Sequence, residues 1–220
     1  MITAVGIASA NTITFSAAIP TQTTPFVNDA ALSNFNTAWG TLTGVNVTLS
    51  YTVTGVVNIF NTTSSTQSFS NASSTTPIFL TADGTFSSFP AGLQTSVNAV
   101  NTVGSGTIGS AAGPYGFTGS PVSGSISGNF TSSAVDFECG PGFTACSSDP
   151  TDNYETDANA GTFSGTAPNG VFFGGSATLS GTISVTYTYT ASSIPEPSTM
   201  ALLGSALVGL GLLRKRLSSK

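Results

Sequence analysis

Histidine is missing from this chain, and basic charge nearly so. Its four lysines and arginines are Arg214, Lys215, Arg216 and Lys220, so no basic side chain stands before residue 214. Charged residues make up 6% of the 220 positions, against about a quarter in an ordinary soluble domain. Each absence excludes a class of chemistry. Without His or Lys, the body has no triad base, no Schiff-base amine and no imidazole to hold a metal. A sequence pI near 4.1 with no basic patch excludes nucleic acid as a partner. Solubility must come instead from Thr, Ser, Asn and Gly, which hydrate without charge.

What is there is alternation. From Val45 the odd positions read Val45, Val47, Leu49, Tyr51 and Val53, resuming at Val57 and Ile59, with Asn46, Thr48, Ser50, Thr52 and Thr54 between them. Leu179, Ile183, Val185, Tyr187 and Tyr189 repeat the pattern among Thr and Ser. A period of two with β-branched residues predicts strands with one buried face. Gly44, Gly55, Gly124, Gly128 and Gly181 read as turns or bulges. Shorter strands are expected at Thr12–Ile19, Pro77–Leu80, Thr85–Phe89, Gln94–Val100, Val122–Phe130 and Ala134–Glu138. One short helix is expected in Asn28–Trp39, with Ala31, Leu32, Phe35 and Trp39 on one side. About eight strands without helical partners predict an all-β antiparallel sandwich, jelly-roll-like, over residues 11–190. That length suffices for one buried core.

The tail is of another kind. Pro195-Glu196-Pro197 precedes sixteen uncharged residues, Ser198 to Leu213, and then Arg214-Lys215-Arg216. As a helix the apolar stretch spans roughly 24 Å, short of the ~30 Å hydrocarbon core, a gap that snorkelling of the basic residues closes. A basic stop marks the cytoplasmic end of a membrane helix. Residues 198–213 are therefore expected to cross the inner membrane, with 214–220 in the cytoplasm and the body outside. In residues and order this tail resembles the PEP-CTERM sorting signal of Gram-negative bacteria that make extracellular polysaccharide. The resemblance implies recognition by an exosortase, a membrane-embedded cysteine protease, with Pro195, Glu196 and Pro197 as the recognised residues and cleavage nearby. It implies a precursor at the inner membrane and a product at the cell surface or in the extracellular matrix.

Export needs a leader. Ala8-Ser9-Ala10 is a small-x-small pattern of the kind signal peptidase accepts, and Ile2 to Ile7 resembles the end of an apolar h-region. Residues 1–10 are expected to be the remnant of a signal peptide whose true start lies upstream; the alternative is a first strand beginning at the terminus. Farther on, Ile13-Thr-Phe-Ser-Ala-Ala-Ile19-Pro20, Phe26, Phe35 and Gly40-Thr-Leu-Thr-Gly44-Val45 resemble the choice-of-anchor E domain. That family implies a secreted β-rich module and transfers no catalytic residues.

Three constellations bear on chemistry. Cys139 and Cys146 bracket six residues, and in an exported chain they are expected to pair, a closure contributing roughly 2–3 kcal/mol on the chain-entropy model. Asp149, Asp152, Asn153, Glu155 and Asp157 form an acidic run read either as a solvated loop or as a Ca²⁺ site without EF-hand spacing. Asp136 and Glu138 are the one carboxylate pair a glycosidase reading could use. Tyr115 and Phe117, around Gly116, either pack under a loop or stack on sugars. The leading expectation is a non-enzymatic exported surface or matrix protein with no required cofactor. The alternative is a carbohydrate-binding sandwich.

Overall fold

The computed structural model describes residues 10–82, 96–130, 137–139, 151–192, 204–208, 210 and 214. The strands are β1 (Ala10–Thr23), β2 (Phe26–Ser33), β3 (Phe35–Asn36), β4 (Gly40–Asn61), β5 (Gln67–Ala82) and β6 (Ser96–Ile108). They continue as β7 (Ala112–Thr118), β8 (Val122–Phe130), β9 (Glu138–Cys139), β10 (Thr151–Ala158), β11 (Thr162–Thr166) and β12 (Val171–Ala191).

The two strongest alternations in the sequence find each other. β12 pairs antiparallel with β4 along nearly their full length, from Val171 opposite Asn61 to Ala191 opposite Gly40. Around this ladder forms a five-stranded sheet in the order β1-β12-β4, where the far edge of β4 is shared: β8 pairs with Val45–Val53 and β7 with Val56–Asn61. The second five-stranded sheet runs β11-β5-β10-β2, with β6 on the other edge of β5. Both sheets are antiparallel, and a two-residue parallel pair of β3 with β9 sits apart from them. Val47, Leu49, Val53, Leu179, Ile183 and Val185 of the first sheet pack into one core with Leu32, Ile78, Leu80, Ala99 and Tyr154 of the second. Two sheets sharing one apolar layer make a sandwich.

The apolar layer is interrupted. A second, smaller core of Val57, Ile59, Phe69, Ala72 and Ile108 lies toward one end. Between the two, β4 offers Gly55, β5 offers Ser74 and Thr76, and β6 offers Asn101, all buried. Asn101 bridges the sheets here: its Nδ2 donates to the Val53 carbonyl at 2.9 Å and to the Ser120 carbonyl at 2.8 Å. Among the described residues the Ser74 and Thr76 hydroxyls have no hydrogen-bond partner. The sheets approach so closely at this waist that a Cβ on Gly55 would collide with the Ser74 hydroxyl.

Two expectations are corrected. Asn28–Trp39 is not a helix but β2, β3 and a three-residue 3₁₀ turn, Thr37–Trp39. Ala30 and Leu32 are buried while Val27, Asp29 and Ala31 are exposed, a period of two that β10 completes with a full ladder. The turn is capped by the Asn36 side chain, which accepts from the Ala38 N–H at 2.9 Å. Gly55, Gly124 and Gly128 are not turns; they lie inside unbroken ladders, where the missing side chain makes room for Ser74 and, at Gly124, for the Tyr51 ring. Gly44 and Gly181 do stand beside register shifts. Among the other expected strands, Val122–Phe130 coincides with β8, whereas Thr85–Phe89 lies outside the described residues.

The waist predicts a coupled pair of substitutions. Gly55→Ala is expected to cost about 1–3 kcal/mol in urea unfolding, the range of an overpacked core. Adding Ser74→Ala removes the obstructing, unpartnered hydroxyl and should recover part of that loss; additive costs would contradict the contact.

Candidate functional site

The tail is described at 204–208, 210 and 214, and all of these residues are helical and exposed, Arg214 included. Among the described residues no helix is long and apolar enough to cross a membrane. Pro195, Glu196, Pro197, Lys215 and Arg216 lie outside the described residues.

The acidic run is in part a strand rather than a loop. Residues 151–158 form β10, held between β2 and β5. Tyr154, Thr156 and Ala158 point inward, and Asn153, Glu155 and Asp157 share the outer face, half-buried. Glu155 sits opposite Asp29 on β2 and accepts a hydrogen bond from the Thr81 hydroxyl at 3.2 Å. No group of three His, Cys, Asp or Glu gathers among the described residues. Asp149 and the side chain of Asp152 lie outside them.

Glu138 is in β9, opposite Phe35, and burial raises its carboxyl above the ordinary glutamate value. Asp136 and Cys146 lie outside the described residues, as does the Cys139 side chain.

The two outer faces of the sandwich differ in charge. Among the described strands, Asp and Glu occur only on β2, β9 and β10; the first sheet carries none. Its outer face is ranked instead with hydroxyls and amides. One transverse row runs Thr14, Thr186, Asn46, Asn129, and the next Ser16, Ser184, Thr48, Ser127. Neighbours in these rows hold one another: Thr14 to Thr186 at 2.8 Å, Asn46 to Asn129 at 2.7 Å, Thr48 to Asn46 at 2.8 Å. A shallow groove of about 400 Å³ crosses this face, walled by Ser50, Thr52, Ser123, Ser180 and Thr182. Small hydroxyl side chains leave that space open.

At one end of the same face the pattern changes to aromatic. Phe172 and Phe60 are opposite each other across the β12–β4 ladder and point outward, 58% and 36% exposed. The sequence offered a signal for both, since each apolar ring stands at a position where the alternation calls for a polar residue. Of the aromatic pair singled out in the sequence, the structure separates the members. Tyr115 is 55% exposed, whereas Phe117 is half-buried and packs edge-on against Phe69 at 5.2 Å. Asn61, which fits a glycosylation sequon, serves the fold: it is buried and its Nδ2 donates to the Ser65 and Gly109 carbonyls.

Residues 193–216 match the PEP-CTERM protein-sorting motif. The match takes in the Pro-Glu-Pro run, the apolar stretch and the basic stop. No curated protein matches the chain. Among solved structures, infectious bursal disease virus of the Gt strain aligns at 12% identity over 93% of this chain and 51% of the viral chain, with a TM-score of 0.17. The Gx strain aligns at 13% identity over 92% and 48%, with a TM-score of 0.13. The chain thus spans about half the length of these viral proteins, and scores of that size support no likeness of fold.

The raised Glu138 carboxyl has a consequence for pH. The folded state holds that proton more tightly than the unfolded one. The resulting stability is fully present below the unfolded pKa and is lost as pH rises through the folded pKa. Glu138→Gln should therefore raise the urea midpoint at neutral pH, with the gain vanishing in acid. A gain constant across pH would assign the effect to something other than this carboxyl.

Proposed function

We propose that this chain is the precursor of a non-enzymatic exported surface or matrix protein. The observation that carries the reading is the match of residues 193–216 to a PEP-CTERM sorting motif, which supports an exosortase-targeted, envelope-associated protein of a Gram-negative bacterium. On this reading 198–213 hold the precursor at the inner membrane with 214–220 in the cytoplasm. An exosortase reads Pro195-Glu196-Pro197, cuts nearby and passes the body to the surface or to extracellular polysaccharide. The body suits that fate. Its sandwich is hydrated by hydroxyls and amides, it has no basic residue for trypsin-type proteases, and it lacks the bases that most hydrolytic and transfer chemistry requires.

A second reading, a carbohydrate-binding sandwich, is favoured by the exposure of Phe60, Tyr115 and Phe172. The choice-of-anchor resemblance of residues 13–60 agrees with either.

Terminal mass spectrometry of protein recovered outside the producing cells tests the first reading. The expected product begins near Asn11 and ends close to Pro197, and Glu196→Ala should leave the full tail attached and the protein in the membrane fraction. Secreted protein retaining Lys220 would refute processing.

A further inference from the structure

We infer that the aromatic end of the first sheet's outer face, built from Phe172, Phe60 and Asn58, is a binding site for a neutral glycan. The inference rests on the carbohydrate-binding reading above and gives it a place and a ligand class.

The site is assembled by two glycines. β4 and β12 align Phe60 with Phe172 and Asn58 with Gly174, while β7 places Gly116 on the other side of Asn58. A Cβ on Gly174 would touch only the Phe60 ring, at 3.7 Å, so that ring leans across the glycine along the sheet surface. A Cβ on Gly116 would meet the Asn58 side-chain oxygen at 3.1 Å, so the amide leans the opposite way. Among the described residues no group hydrogen-bonds the Asn58 amide. Two exposed rings therefore stand beside an amide with both its donor and its acceptor free. The apolar face of a sugar ring packs on aromatic surface while its hydroxyls need paired donors and acceptors at the rim, and these side chains supply both.

Size and charge narrow the occupant. A buried phenylalanine covers on the order of 200 Å², so the two rings at their fractional exposures offer roughly 200 Å² together. A stable contact with a second copy of the chain needs about 800 Å² per partner, whereas a sugar unit or two needs no more than the rings provide. Beyond the rings the face continues as uncharged hydroxyls, and the acidic strands β2 and β10 belong to the other sheet. A neutral chain of sugars meets complementary hydroxyls there and desolvates no charge. Each strand-to-strand twist of about 20–25° denies the face a flat lattice plane, so a flexible polymer suits it better than a crystalline surface.

Calorimetry on the full-length protein, in a sugar-free polyoxyethylene detergent, tests the site. The neutral probes are cellohexaose and maltohexaose, and an oligogalacturonate of equal length is the anionic one. At least one neutral hexaose should bind and the anionic probe should not. Phe172→Ala should weaken binding about tenfold or more and Asn58→Ala less, with thermal melting unchanged. Val27→Ala, at an equally exposed apolar residue of the other sheet, should change nothing. Binding by the wild type that survives Phe172→Ala and Asn58→Ala would overturn this site and leave the carbohydrate reading standing. No binding of either neutral probe would overturn both, and so would equal binding of the anionic one. A dimer in sedimentation that Phe172→Ala dissolves would overturn the glycan in favour of self-association.

Discussion

Everything in the body is referred to the β4–β12 ladder. Once its two strands lock Val53 opposite Leu179 and Leu49 opposite Ile183, the parity of every other strand in that sheet follows, because a slip of one residue would turn a whole apolar row to solvent. The same lock decides what the outside looks like. Thr, Ser and Asn at the intervening positions become ranks of hydroxyls and amides across four strands, and the two rings at one end become neighbours, though they are 112 positions apart in sequence.

The strands were legible where alternation was long. Val122–Phe130 could be bounded from sequence because Ile126 and Phe130 alternate with Ser and Asn between flanking Pro and Thr. The stretch Asn28–Trp39 misled because Ala31, Leu32, Phe35 and Trp39 also satisfy a helical spacing. A ladder to β10, 118 to 132 positions away, outweighs that local preference, and no local pattern reveals it. The glycines misled for a related reason. Gly55 resembles punctuation in sequence, yet its role is steric: it yields space to a hydroxyl on the opposite sheet. The acidic run was visible as composition, but its conversion into a central strand depended on partners on both sides. Tyr115, exposed but paired with inward-facing Ile59 and so not on the face of Phe60 and Phe172, could be picked from its Gly/Pro setting. Phe60 and Phe172 needed the register before their proximity meant anything.

Segregation of charge runs through the whole chain. Cations are confined to the tail, anions in the described strands to β2, β9 and β10, and the first sheet is neutral. Arg214, Lys215 and Arg216 directly follow the uncharged stretch Ser198 to Leu213, and no basic residue precedes them. A neutral hydroxyl surface then interacts with its surroundings with little dependence on ionic strength, since there are few charges to screen.

The polar waist divides the sandwich interior, and that division bears on cooperativity. The apolar contacts between the sheets thin out at Gly55, Ser74, Thr76 and Asn101, where the Asn101 amide makes a polar tie across the interior while the β4–β12 ladder runs on through. Protection against amide exchange should then fall into two blocks. The small block around Val57, Phe69 and Ile108 opens at lower free energy than the large one, because it buries far less apolar surface. The exposed rings of Phe60 and Phe172 sit on that weaker block, so the end of the molecule with the barest aromatic surface is also the end most able to breathe.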